Sequence, residues 1–286
     1  MTSGPLILSM DVEDWPQSTW DRSLPITTRS ARNTERVLDL LKSRNVCITM
    51  FVLGKFAEAF PALVRRMADE GHEIASHGHG HVEIFKQTPE EFREDVRRSK
   101  HFLEDTTGKP VVGFRAPDFS IVKASLWALD VLAEEGFEYD SSIFPIVHDR
   151  YGIPGWPASP VRVQLAAGKS LVELPIATRP FGTRRLPVAG GGYHRLLPGT
   201  AIAWIVARVV DTGMPFMAYC HPYEFDPNEF REIELRIPWK TRLHQGLGRR
   251  GFRRKFVRLI DRFQVRQAWT VASGTSWPLH SVPATS

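Results

Sequence analysis

Apolar residues follow two rhythms in the first half of this chain. Short unbroken apolar runs, the mark of strands buried on both faces, occur at residues 5–10 (PLILSM), 46–54 (VCITMFVLG), 72–77 (HEIASH), 111–117 (VVGFRAP) and 137–142 (FEYDSS). Between them lie segments with helical spacing. Residues 30–45 place Val37, Leu38, Leu40 and Leu41 on one stripe, and residues 61–71 begin on Pro61 and stop at Gly71. Residues 88–108 open with Thr88 as cap and Pro89 in the first turn and end at Gly108, and 123–136 form a further helix. Strand and helix in strict alternation predict a parallel sheet or barrel.

The pattern then loosens. Residues 143–195 are rich in proline and glycine, with a strand at 171–175 (LVELP) and a glycine-rich loop at 188–198 (VAGGGYHRLLP). A helix returns over 198–213, and 214–226 (MPFMAYCHPYEFD) hold a late strand ending at His221. No internal repeat or linker interrupts the chain. The simplest organisation is one domain over 1–245 and a basic C-terminal segment over 246–286, helical and then disordered.

Composition changes this picture little. The 286 residues are 42% hydrophobic and 24% charged, ordinary for one large soluble α/β domain. The net charge of +5 is concentrated late, in GRRGFRRKFVRLIDRFQVR (248–266). The apolar run 201–210 is too short to span a bilayer and is broken by Arg208. The first residues lack a basic start and their apolar run is cut by Asp11, which reads as a cytoplasmic protein. Cys47 and Cys220 sit apart in apolar runs, which predicts buried free thiols rather than a disulfide framework or a zinc-binding pair. No nucleic-acid-binding motif is present, and the glycine-rich loop lacks the lysine of a phosphate loop.

Chemistry gathers at the ends of the runs. The first ends in Asp11, Glu13 and Asp14, the third in His77, His79 and His81, the fourth in Arg115 and the late strand in His221. Parallel sheets collect ligands at the carboxyl ends of their strands, so groups distant in sequence meet at one rim. On one helical turn His77 and His81 would share a face and reach one metal, with a carboxylate from another strand as third ligand. Each feature alone has a plainer reading: a solvated turn, a helix cap, a surface ion pair, a core histidine. Their coincidence at four strand ends points to a site.

From about Leu6 to about Asp226 the chain resembles the polysaccharide deacetylases with a NodB homology domain (carbohydrate esterase family 4), and most closely the deacetylase-like proteins of exopolysaccharide and exosortase loci. The phrases MDVEDW, EIASHGHGH, GFRAPDFSI, SLWALDVLAEEGFEYDSSIFP, HDRYGIP and PVAGGGYHRLLP carry the resemblance. It implies a distorted (β/α)7 barrel and a metal-dependent hydrolase that removes N-acetyl groups from amino sugars of an exopolysaccharide or lipid-linked glycan. Zn2+ is the implied metal, with Co2+, Ni2+ or Mn2+ as alternatives.

The resemblance also implies roles. Asp11 would be the general base, held by Arg115. The acidic ligand that normally follows the base is replaced by Val12, so it falls to Glu13 or Asp14: strand alternation favours Glu13, the family's residue type Asp14, and the reading leans to Asp14 on that residue type. His77 and His81 would complete the metal site, leaving His79 as bystander or substrate contact. The Asp118 N–H would donate to an oxyanion, and His221 would be the general acid. Asp140 matches the first aspartate of a fourth motif that tunes the acid, although its tryptophan is missing from DSSIF. Trp15, Trp20, Tyr193 and Tyr223 are candidate walls for a sugar. The basic tail would be an amphipathic helix meeting anionic lipid. Two rival readings share the barrel: a hydrolase of cyclic amides or imides, and a non-catalytic carbohydrate binder.

Overall fold

The computed structural model describes residues 3–282. All seven residues of the first strand, β1 (Leu6–Val12), are buried, as an unbroken apolar run demands. The other strands are β2 (Thr49–Val52), β3 (Glu73–Ser76), β4 (Gly113–Phe114), β5 (Tyr139–Asp140), β6 (Val161–Gln164), β7 (Ser170–Glu173), β8 (Thr178–Phe181), β9 (Arg184–Pro187), β10 (Phe216–Cys220), β11 (Val265–Arg266) and β12 (Leu279–Ser281). The main sheet runs β10-β1-β2-β3-β4-β5-β7-β6-β12, and β8 and β9 form a separate hairpin. Every pair in the main sheet is parallel except β6 with β7.

The sheet is curled into the expected distorted barrel, without a continuous ladder closing it. After β7 the chain returns to β10 through single contacts: the Ala177 N–H donates to the Met217 carbonyl (3.1 Å), and Gly190 bridges Tyr219. Helices Thr28–Ser43, Pro61–Asp69, Pro89–Thr107 and Trp127–Glu134 lie in the crossovers between the parallel strands. The start and stop signals of Pro89–Thr107 act as their chemistry requires. Thr88 and Glu91 form a reciprocal capping box, and Gly108 ends the helix at φ +66°.

Five expectations are corrected. Residues 191–196 of the glycine-rich stretch form a short helix, Gly191–Leu196. Cys47 is exposed because β2 begins only at Thr49, while Cys220 is buried. The boundary at 245/246 has no counterpart, because the segment beyond it is part of the barrel. Helix Arg249–Arg262 buries Phe252, Phe256, Leu259 and Ile260; β11 then pairs with β1, and β12 with β6. That segment therefore does not pass from helix into disorder within the described residues, and residues 283–286 lie outside them. It follows that the apolar stripe expected to meet lipid is already used, against Phe225 among others (ring centroids 4.9 Å to Phe252 and 5.1 Å to Phe256).

Candidate active site

Sheet register brings the polar groups together. Met10 is level with Cys220, so Asp11 and His221 leave adjacent parallel strands side by side. Ser76 is level with Phe114, so His77 and Arg115 do the same. At the end of β1 and just past it, alternation turns Asp11 and Glu13 to one side and Val12 and Asp14 to the other.

Glu13, His77 and His81 offer one ligand atom each within 4.8 Å of one another, all buried. The Glu13 Oε2 lies 2.7 Å from His81 Nε2 and 3.4 Å from His77 Nε2. The His77 Nδ1 pairs with the Arg115 carbonyl at 2.8 Å; since a carbonyl only accepts, Nδ1 carries the proton and Nε2 is left as a bare lone pair. No hydrogen bond of good geometry reaches the Glu13 Oε2, although the carboxylate is buried and two ring nitrogens stand beside it. A buried, underused carboxylate oxygen beside an imidazole lone pair is what a divalent cation would satisfy, and two imidazoles with one carboxylate suit zinc-like ions. Burial opposes the charge on Glu13, but His81, His77 and His221 outweigh it and hold its carboxyl well below the usual range. The two histidines do not share a helical turn as expected. The loop between them bends through Gly78 at φ +72° and His81 at φ +60°, and the Asp95 carboxylate ties it by accepting from the His79 and Gly80 amides (2.8 and 3.3 Å).

Asp11 is held from behind. The Arg115 Nη1 donates to its Oδ1 at 2.6 Å and to Ser9 Oγ at 2.8 Å. The other face of the guanidinium is fixed by the Ser141 carbonyl (3.1 Å) and Oγ (3.0 Å), and its plane stacks on Phe51 at 4.0 Å. Only Oδ2 of Asp11 is left toward the cavity, 3.9 Å from His221 Nε2.

On the other side of His221 stands Glu224. Its Oε2 accepts from the His221 backbone N–H (3.1 Å) and lies 3.7 Å from His221 Nδ1, while Oε1 accepts from Arg195 Nε (3.1 Å). Burial disfavours a charged ring at His221, but Glu224, Glu13 and Asp11 more than compensate and push its pKa up to about 9. Sequence reasoning passed over Glu224 and Arg195. The available signal was the acid three residues after His221 together with the glycines at 190–192. A Cβ on Gly191 would overlap the Glu224 carboxylate, and one on Gly190 would come within 2.6 Å of the Tyr219 hydroxyl. Those glycines make room for Glu224 and Tyr219.

The remaining candidates separate. Asp14 faces away from the histidines and accepts from the Thr27 N–H at 2.7 Å; burial raises its pKa to about 7. The lean toward Asp14 as ligand is therefore corrected in favour of Glu13. Asp140 does not reach His221: it is fully buried against Ser142 (2.5 Å) and pairs with Glu173, where burial and that pairing raise the Glu173 carboxyl. His79 points outward to Glu58 (3.8 Å). Asp118 and Tyr223 line the cavity, and the Tyr223 ring stacks on His221 at 4.6 Å. Trp15 is core, whereas Trp20 and Tyr193 are exposed.

The cavity holds about 330 Å³. It adjoins a wider hollow of about 700 Å³ past Asp118, Arg150 and Tyr151, bounded by Phe85, Lys123 and His148. That is room for more than one sugar ring.

Comparison with known proteins gives two matched spans, and Asp11, Glu13 and Asp14 lie ahead of both. A family model described as polysaccharide deacetylase matches residues 17–138, and one described as a domain of unknown function (DUF3473) matches 141–272. The cavity draws on both, since His77, His81 and Arg115 lie in the first and His221, Glu224 and Arg195 in the second. Among curated relatives, a peptidoglycan-N-acetylglucosamine deacetylase of Bacillus cereus is 36% identical over 98 residues, 34% of this chain and 36% of its own. A chitooligosaccharide deacetylase of Bradyrhizobium is 33% identical over 101 residues, 35% of this chain and 43% of its own. The match thus spans less than half the length of either relative. In three dimensions the whole chain superposes on 99% of a Mycobacterium smegmatis structure assigned to the polysaccharide deacetylases (TM-score 0.62, 21% identity). It also covers 88% of the PuuE allantoinase structure with 94% of its own length (TM-score 0.61, 14% identity), a likeness of fold alone.

Proposed function

Since this chain carries a polysaccharide deacetylase domain over residues 17–138, we propose that it is a metal-dependent hydrolase removing N-acetyl groups from amino sugars of a glycan. The observation that carries the reading is the placement of the Glu13, His77 and His81 ligand atoms within 4.8 Å of one another, beside a base held by arginine and a histidine flanked by carboxylates. The relatives named above act on N-acetylated amino sugars of peptidoglycan or chitooligosaccharide, which is the chemistry in common.

Glu13, His77 and His81 would hold a divalent ion, with zinc favoured by the ligand set. A bound divalent ion supplies Lewis acidity, which acidifies water and polarises a carbonyl. Asp11 receives the water proton on Oδ2, the oxygen that Arg115 leaves free. The Asp118 N–H is the candidate donor to the developing oxyanion, an interaction worth about 3–4 kcal/mol when preorganised. His221 delivers its Nε2 proton to the departing amine, which leaves poorly unless protonated. Glu224 keeps that proton on the ring until it is needed.

The test is acetate release from N-acetylglucosamine oligomers by protein supplied with Zn2+, Co2+, Ni2+ or Mn2+, beside Asp11→Asn and Glu13→Gln variants. We expect release that requires the ion and is lost in both variants. Release that persists in Glu13→Gln, or opening of cyclic amides by the metal-free protein, would overturn the reading.

A further inference from the structure

Large apolar side chains crowd one exposed patch beside the cavity. On the short helix Trp239–Gly246 and its end, Trp239 is 68% exposed, Leu243 57% and Leu247 53%. A spacing of four residues sets them along one face. Leu196, 54% exposed, ends the neighbouring helix Gly191–Leu196. The two short helices are clasped at this point. The Arg195 Nη1 donates to the carbonyls of Gln245 (2.6 Å) and Leu247 (3.1 Å), and a Cβ on Gly248 would collide with the Arg195 carbonyl. This clasp brings the end of helix Gly191–Leu196, which carries Leu196, beside the end of helix Trp239–Gly246. Isolated exposed leucines need no explanation, but a contiguous patch does.

Positive charge lies beside it. Helix Arg249–Arg262 carries seven basic residues and one acid, Asp261, which is paired with Arg44 at 2.6 Å. Arg250, Arg253, Arg254 and Arg258 point to solvent. Arg258 adjoins the chain just past Leu196, since a Cβ on Gly199 would lie 3.1 Å from its Nη1. Lys240 stands over the Trp239 ring at 5.9 Å. A tryptophan and leucines surrounded by arginine and lysine fit the boundary between anionic headgroups and acyl chains, where the ring and alkyl groups enter and the cations meet phosphate. Gln245 of the same short helix is among the residues that line the catalytic cavity, so the helix that carries the patch borders that cavity.

We propose that Trp239, Leu243, Leu247 and Leu196, with Arg250, Arg254 and Arg258 at their border, dock the protein on an anionic lipid surface. The inference is independent of the chemistry in the cavity. It replaces the expectation that the C-terminal helix itself inserts, because that helix has turned its apolar stripe to the core.

The experiment is co-sedimentation of the whole protein with phosphatidylglycerol/phosphatidylcholine vesicles and with pure phosphatidylcholine vesicles. Three proteins are compared: the parent, Trp239→Ser/Leu243→Ser, and Arg250→Gln/Arg254→Gln. We expect the parent to bind the anionic vesicles and to be released by salt. The apolar variant should bind roughly tenfold or more weakly, and the arginine variant about fivefold more weakly per charge removed. These side chains are exposed, so an unchanged circular dichroism spectrum is expected, and the two variants check each other should one misfold. Failure of the parent to bind anionic vesicles at low salt, or equal binding by all three, would overturn the proposal. So would a parent that dimerises without vesicles while the apolar variant stays monomeric, since a second copy would then cover the patch.

Discussion

Replacing Arg115 by methionine should remove a large part of the stability of the protein, and the cause can be isolated. Arg115 is completely buried and hydrogen-bonds Asp11, Ser9 and Ser141 with three nitrogens. Asp11 is itself only 2% exposed. Methionine fills similar space but leaves a buried carboxylate without its partner, a change that costs about 3–5 kcal/mol. Domains hold about 5–15 kcal/mol in total, so the loss is visible in any urea titration. Asp11→Asn alone should also destabilise, by stranding a buried guanidinium. The double variant Asp11→Asn/Arg115→Met removes both charges, so its loss should fall short of the sum of the singles by about 3 kcal/mol. Arg115→Lys keeps the charge without the planar fork and should lie between parent and Arg115→Met. If the singles add to within about 0.5 kcal/mol, Arg115 does not hold Asp11 as an ionised group, and its role in the mechanism fails with it.

The choice between the two acids is open to a direct count of metal. Glu13→Gln should lower bound zinc per chain by orders of magnitude in affinity while Asp14→Asn leaves it near the parent; the reverse would reinstate Asp14. Glu224→Gln should move the basic limb of the pH–rate profile to lower pH, because Glu224 contributes to raising His221 to about 9; a reduced rate with an unmoved limb would reduce Glu224 to a packing role. His194 supplies a stability signal away from the metal ligands. Burial lowers its pKa from 6.5 to about 4, and its Nε2 donates to the Val188 carbonyl at 3.1 Å. The unfolded chain binds this proton first, so its contribution is full above pH 6.5 and is lost as pH falls toward 4, about 3 kcal/mol in all. His194→Gln should flatten that part of the stability–pH curve, and a slope identical to the parent's would contradict the assignment.

The parts of this protein that could be read from its sequence are those fixed by local pattern. The buried run at β1, the Thr88–Glu91 cap and the histidines beyond β3 all announce themselves within a few residues. The parts that could not be read depend on distance and direction. Glu13 and Asp14 differ only in which side of an extended chain they leave, and the residue type usual in the family pointed to the one that faces away from the histidines. Glu224 was signalled only by its place three residues after His221, and that gained meaning when Gly191 was seen to yield it space across a gap of 33 residues. Asp140 sits at a strand end like the others, yet β5 is capped by Glu173 on its neighbour, and a carboxyl with that partner turns inward. The C-terminal strands were missed because pairs of residues such as Val265–Arg266 are too short to show a period.

The company kept by β1 has a consequence for how the molecule is made. Leu6 is hydrogen-bonded in register with Phe216 on one side and Val265 on the other, so the first strand waits for partners more than two hundred residues downstream. Contacts of such separation form late and slow the search for the native state. While the chain emerges during synthesis, β2 to β5 can find one another in order, but β1 has only one of its edges to offer them. Asp11 and Glu13 sit at the end of that strand. Asp11 and Glu13 are thus the first residues of the site to be synthesised and among the last to reach their final places.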